Sequence, residues 1–258
     1  MREKGLILVS AMLRGLIFFG VVMGIAMACI MLNARWSPDL VWFPLPAVAV
    51  LWLATRWAQQ RWQIGLNPVA AVSATRAYAA GLTVTLLGVA VCVVQGSYTG
   101  MVRETEVFAG ADSVAFTLTY AVLMAVFAGV LAEVAFRGIV QARMEPAFGL
   151  WTTVIIIAAV NVVSHRWGPE IVQNWLGLFV TLAGWTWLRS WSGSIWPPLV
   201  MHAGLNLLVA LGLWNFGPLH HAELSSGVVA GFALLGVASL FATVALSRNS
   251  RVALTHSA

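Results

Sequence analysis

The side chains with the chemistry for proton transfer come in pairs, and the two members of each pair are four residues apart. The three pairs are Glu133 with Arg137, Asn161 with His165, and His202 with Asn206. Four-residue spacing places both members on one face of a helix. Carboxylates and imidazoles are the groups that most often accept and donate protons near neutral pH. The pattern predicts three helices whose polar faces converge on one buried pocket.

The chain around these pairs has the composition of a membrane protein. Of its 258 residues, 60% are hydrophobic and 9% are charged, against about a quarter charged in soluble domains. Long uncharged runs recur along the chain and predict an all-α, polytopic membrane helical bundle of about eight transmembrane helices. The predicted spans lie near Leu6–Leu32, Leu40–Thr55, Ala77–Met101, Ser113–Met144, Phe148–Ser164, Ile171–Leu188, Ser194–Phe216 and Leu224–Leu246.

The chain is expected to form one transmembrane domain over residues 1–246, followed by a cytoplasmic tail over residues 247–258. It contains no internal repeat and no Pro/Ser-rich linker that would divide it. The first apolar run is longer than the core of a signal peptide and is interrupted by Arg14. We therefore expect a retained helix there rather than a cleaved signal.

Basic residues predict the orientation of these spans. With the N-terminus inside, eleven of the 14 Lys and Arg residues fall on the cytoplasmic side and three on the outer side. This bias predicts a multi-pass protein of the cell membrane with both termini cytoplasmic. The net charge is +5, but the sequence contains no dense run of basic residues. Membrane lipids are therefore expected partners and nucleic acid is not. Gly20-x-x-x-Gly24 and Gly227-x-x-x-Gly231 permit close helix packing and suggest a homodimer.

Three short motifs in a fixed order carry a family resemblance. The chain reads Ala132-Glu133-x-x-Phe136-Arg137-Gly138, then Asn161-x-x-x-His165, then His202-x-x-x-Asn206. Over residues 113–209 it resembles the CPBP intramembrane proteases, which include type II CAAX prenyl endopeptidases and bacteriocin-processing or immunity proteins. In that family the motifs are Glu-Glu-x-x-x-Arg, Phe-x-x-x-His and His-x-x-x-Asn, on helices within about eight spans.

The chain departs from the family pattern at two positions. Ala132 replaces the first glutamate, which the resemblance implies is the base that activates water. Asn161 replaces the aromatic residue four positions before His165. On an α-helix Glu133 lies about 100° around the axis from residue 132, so it is not expected to occupy the place of the missing carboxylate.

The resemblance implies an endopeptidase that hydrolyses membrane-associated peptides or proteins in a cavity open to the cytoplasm. Glu133, His165, His202 and Asn206 would be catalytic, with His165 handling water and His202 and Asn206 stabilising the oxyanion. Arg137 and Asn161 would hold these groups in position. The site would need no cofactor, or a single divalent metal such as zinc held by His165 and His202.

Other interpretations of the same residues stay open. Glu133 and Arg137 also fit a structural ion pair inside the membrane, and His165 fits a histidine at the membrane surface. With Ala132, the chain can be a catalytically dead pseudoprotease that acts as a membrane binding or immunity scaffold. A small transporter is the third alternative. Against it, the chain lacks the repeats, with Gly/Pro-interrupted spans at corresponding positions of two halves, that are typical of transporters.

Overall fold

Helices form nearly all of the structure, a computed structural model that describes residues 2–36, 44–69, 71–103, 126–164, 169–216 and 219–248. In chain order the helices are α1 (Arg2–Trp36), α2 (Pro44–Trp62), α3 (Ala74–Thr99), α4 (126–148), α5 (Leu150–Ser164), α6 (Pro169–Ser192), α7 (Trp196–Phe216) and α8 (Ser226–Arg248). Two two-residue strands, β1 (Val102–Arg103) and β2 (Leu219–His220), pair antiparallel.

Each predicted span overlaps one of these helices, which confirms the all-α membrane fold. Among the residues that the structure describes, three helical stretches are long and apolar enough to cross a membrane, namely Glu3–Cys29, Ala74–Thr99 and Ser226–Arg248. Two shorter apolar ones are Leu150–Ser164 and Trp196–Gly212. The predicted second span is displaced, because α2 runs on to Trp62. Residues 56–62, beyond the predicted end of the span at Thr55, are therefore helical.

The fourth helix changes its winding where the first polar pair lies. Residues 126–132 are α-helical, Glu133–Gln141 is a π-helix, and Ala142–Phe148 is α-helical again. Gly149 ends the helix with φ 77°, and its N–H donates to the carbonyl of Glu145 at 2.9 Å. The helix thus continues past Arg137, as the lack of a breaker before Pro146 predicts. π-Helical turns are rare and occur frequently at functional sites.

The described residues fall into two compact units. The first comprises residues 1–66, 105–149 and 202–217, and within it α1 packs against the π-helical part of α4. A Cβ on Gly15 would clash with Cγ2 of Val140 and lie 3.1 Å from the carbonyl oxygen of Ala135, so a larger residue would shift this contact. Further along, the rings of Phe19 and Phe136 lie 6.2 Å apart. Small residues at such crossings let helix backbones pack closely in a membrane.

The second unit comprises residues 67–104, 150–201 and 218–258, and α3 lies against both α6 and α8 in it. The indole of Trp185 donates to Thr85 Oγ1 at 3.0 Å. Helix α6 is kinked at Asn174, whose φ of −138° is non-helical. Gln95 Oε1 accepts from the N–H groups of Leu176 and Gly177 at 3.0 and 3.2 Å. These are among the donors that a break in a helix leaves without intrahelical partners.

Candidate functional site

A buried carboxylate lies at the centre of the candidate site, in the first unit. Glu133 is the first residue of the π-helix and is fully buried. Its Oε1 atom is 3.1 Å from Arg137 Nη1 on the same helix. The same oxygen is 2.9 Å from Nδ1 of His202 on α7. Glu133 therefore joins a cation on its own helix to an imidazole on another.

The close crossing of α4 and α7 explains why these two helices can share a carboxylate. A Cβ added to Gly129, four residues before Glu133, would meet the Cα and N atoms of Ala203 at 3.0 Å. Because Gly129 has no side chain, the backbone of α7 lies directly against α4 at this level. His202 precedes Ala203, so the same approach brings its ring within hydrogen-bond reach of Glu133. The contact thus depends on a small residue one turn before the carboxylate.

The geometry determines the tautomer of a neutral His202. An ionised carboxylate only accepts hydrogen bonds, so Nδ1 of His202 carries the hydrogen that points to Glu133 Oε1. The lone pair of the neutral ring then lies on Nε2. A carboxylate that orients an imidazole in this way is a recurring arrangement at catalytic and metal-binding histidines. His202 is 7% exposed, so the pair lies away from bulk water.

The two carboxylate oxygens of Glu133 differ in their hydrogen bonds. Oε2 is buried and has no hydrogen-bond partner among the residues that the structure describes. Buried polar atoms in proteins are nearly always hydrogen-bonded to protein or to ordered water. Oε2 is therefore the atom at which a water molecule, or a polar group of a substrate, can be held.

Arg137 balances the charge of this carboxylate inside the membrane protein. Both side chains of the pair are fully buried, and an unpaired ion at such a site is strongly unfavourable. The spacing of four residues predicts this contact, and the contact is present. The segment is π-helical, whereas a rotation of 100° per residue applies only to an α-helix, so the predicted angle between residue 132 and Glu133 is wrong. Ala132 is the last α-helical residue before this change.

The structure brings together three of the six predicted residues, namely Glu133, Arg137 and His202. Asn206 is one turn beyond His202 on α7, partly exposed, and its side chain has no hydrogen bond within the described part of the chain. His165 lies outside the described residues. Asn161 is on α5 in the second unit, 5% exposed, and its Nδ2 has no acceptor among the described residues. The catalytic roles assigned to these residues stay predictions.

Two polar residues that the motifs did not include continue the same helix face. Gln141 is fully buried and its Nε2 donates to Oε2 of Glu145 at 3.2 Å. The signal was available in the sequence, because Glu133, Arg137, Gln141 and Glu145 follow one another at intervals of four. The motif comparison stopped at Gly138 and therefore missed the last two.

The described residues do not make a complete zinc site. At the centre they offer a metal Glu133 and His202, whereas catalytic zinc usually has three protein ligands. No group of three or more metal-binding side chains occurs in the described ranges. Arg137 would in addition place a positive charge beside any cation at Glu133. Zinc at His165 and His202 stays a proposal.

Comparison with known proteins finds a family model that matches this part of the chain. The model of the family described as type II CAAX prenyl endopeptidase Rce1-like matches residues 114–208. Glu133, Arg137, His202 and Asn206 all lie inside that segment, and so do Asn161 and His165. Comparison with curated proteins and with solved structures gives no match. The family resemblance that the three motifs indicate is confirmed over these residues.

Proposed function

Because residues 114–208 match the model of the type II CAAX prenyl endopeptidase Rce1-like family, we propose that the chain is an intramembrane endopeptidase. Its substrates would be membrane-associated peptides or proteins, and its reaction the hydrolysis of a peptide bond. The observation that carries the proposal is the contact of 2.9 Å between Glu133 and His202. It joins the first and the third of the three motifs inside the matched segment.

Glu133 is the base in this proposal. Its Oε1 already accepts from Arg137 and His202, so Oε2 is the oxygen left to hold a water molecule and take its proton. The resulting hydroxide attacks the peptide carbonyl, and the proton passes on to the amine that leaves. Arg137 holds the carboxylate in place and balances its charge.

Three further residues complete the proposed reaction. His202 is kept in position by Glu133 through Nδ1, so its Nε2 first accepts the proton that was removed from water. The imidazolium then donates to the oxyanion and passes that proton to the amine that leaves as the tetrahedral intermediate collapses. The amide of Asn206, one turn further along α7, is the second donor to the oxyanion. His165 assists proton transfer to and from water, in the role that the family resemblance assigns to it.

Ala132 makes this a weakened enzyme. The family pattern has a carboxylate at this position, and the chain has a methyl group there. A positioned acid or base contributes typically 10²–10⁴-fold to a rate. A chain that relies on Glu133 alone is expected to lose a factor of this order.

A second candidate function follows from the same alanine. A protein with the fold but without turnover would act as a membrane binding or immunity scaffold. The contact of Glu133 with His202 would then serve only to hold α4 against α7, and Arg137 to balance the buried charge. Both candidates are proposed for the cell membrane, as a multi-pass protein with cytoplasmic termini. Lipids would surround it, and a homodimer through the glycine motifs fits either function.

Peptide cleavage in lipid vesicles tests the proposal. The native protein is reconstituted with a membrane-anchored peptide that carries a fluorophore and a quencher on either side of the cleavage region. His202→Ala removes the imidazole, and Gly204→Ala is the matched control on the same helix, because a Cβ there meets nothing within 4 Å. We expect slow cleavage by the native and Gly204→Ala proteins and none by His202→Ala. Equal signals from all three proteins would refute the hydrolase and favour the scaffold.

A further inference from the structure

Four polar residues follow one another along α4 at intervals of four. Glu133, Arg137 and Gln141 are fully buried, whereas Glu145 is partly exposed. We call these four residues the polar column. Its buried end is the candidate site, and its other end lies near the last turn of α4.

Hydrogen bonds connect members of the polar column. Arg137 Nη1 contacts Glu133 Oε1 at 3.1 Å, and Gln141 Nε2 donates to Glu145 Oε2 at 3.2 Å. Residues four apart on a helix are neighbours on its surface. Each member therefore lies within reach of the next, directly or through one bridging water molecule.

Charged groups gather at the end of the polar column that carries Glu145. Arg143 is exposed, and Lys4 Nζ, in the first turns of α1, lies 5.9 Å from the ring centre of Phe148. Charged side chains in membrane proteins concentrate where helices reach water and headgroups. The polar column thus leads from a polar surface to Glu133 over twelve residues, at most roughly 18 Å for an α-helical rise.

The flanks of the polar column are apolar. Gly138 packs so closely on Ile64 that a Cβ would lie 2.9 Å from the Cβ of Ile64. Val140 and Met144 are also buried on this helix. A buried amide in such surroundings is unfavourable unless it is hydrogen-bonded, and the amide of Gln141 is bonded to Glu145. Gln141 therefore continues the polar column through an otherwise apolar part of α4.

We propose that the polar column is the path by which water reaches the buried carboxylate of Glu133. The purpose of this path rests on the proposed function, because each peptide bond that is hydrolysed consumes one water molecule. Polar groups inside a membrane protein characteristically line such water-filled routes. The unpartnered Oε2 of Glu133 is the acceptor at which the path ends, and Glu145 is its entrance.

Deuterium exchange at the C2–H group of His202 tests the path without any substrate. This exchange requires water at the imidazole and is read by mass spectrometry on the peptide that contains His202. Gln141→Met replaces the amide by an unbranched apolar side chain of similar length. Met144→Leu is the matched control, because it exchanges one buried apolar residue of the same helix for another. We expect exchange at His202 to slow severalfold in Gln141→Met and to keep its native rate in Met144→Leu.

A second variant keeps the test decisive if Gln141→Met does not fold. Glu145→Leu removes the entrance at a partly exposed position, and it is expected to slow exchange in the same direction. Native exchange at His202 in every folded variant of the column would overturn the proposal. Slowed exchange in a chain that cleaves no peptide would support the path and refute the proposed function. If cleavage depends on His202 while exchange in the variants keeps its native rate, the proposed function is supported and the path is refuted.

Discussion

At the scale of residues, Glu133 accounts for most of the candidate site. It accepts from Arg137 on its own helix and from His202 on α7. The first contact is predictable from sequence, because four-residue spacing is a local property of a helix. The second is not, because it depends on how closely two helices cross. Gln141 was missed although its spacing was visible, since no motif drew attention to it.

Removing the buried guanidinium of Arg137 should destabilise the protein more than removing an exposed guanidinium. Arg137→Met leaves the Glu133 carboxylate buried without its cation, and breaking such a pair typically lowers the free energy of unfolding by about 3–5 kcal/mol. Arg56→Met is the control, because Arg56 is exposed and lies over the ring of Trp52. Unfolding in detergent, followed by tryptophan fluorescence, measures both. Equal losses in the two variants would contradict a buried ion pair.

At the scale of elements, the apolar runs predicted the helices well because each span must satisfy its backbone hydrogen bonds internally. The π-helix at Glu133–Gln141 was not predicted, because hydrophobic periodicity does not distinguish one extra residue per turn in a short segment. The extension of α2 to Trp62 was missed because Arg56 and Arg61 interrupt the apolar run. The crossing of α4 and α7 rests on Gly129, and single glycines are too common in membrane spans to identify such a contact.

Filling the space at Gly129 should separate α4 from α7. A Cβ there would lie 3.0 Å from backbone atoms of Ala203, so Gly129→Val forces the helices apart. Overpacking of this kind typically lowers the free energy of unfolding by about 1–3 kcal/mol. It should also abolish His202-dependent cleavage, because Glu133 and His202 then lose contact. Gly204→Ala serves as the comparison on α7, and a Gly129→Val protein of native stability and activity would disprove the role of the crossing.

At the scale of the whole molecule, the distribution of Lys and Arg predicts the topology. Eleven of the 14 basic residues fall on one side of the eight predicted spans and three on the other. We expect both termini to be cytoplasmic, because basic residues accumulate on that side. Reporter fusions after Ala258 and at Pro218 should therefore report opposite sides of the membrane. Two fusions on the same side would show that the predicted number of spans is wrong.

The central claim is that this chain is a peptidase limited by the side chain missing at position 132. Ala132→Glu restores the carboxylate of the family pattern directly before Glu133, in a partly exposed position. A second carboxylate would take over water activation and leave Glu133 to hold His202. The gain expected from a positioned general base is about 10²–10⁴-fold.

The measurement is the initial rate at which the native and Ala132→Glu proteins cleave the same membrane-anchored peptide in vesicles. His202→Ala is combined with each of them as the inactive control. We expect the Ala132→Glu protein to be faster by a factor of that order, and both rates to vanish with His202→Ala. A rate that Ala132→Glu leaves unchanged, or one that persists without His202, would contradict the claim.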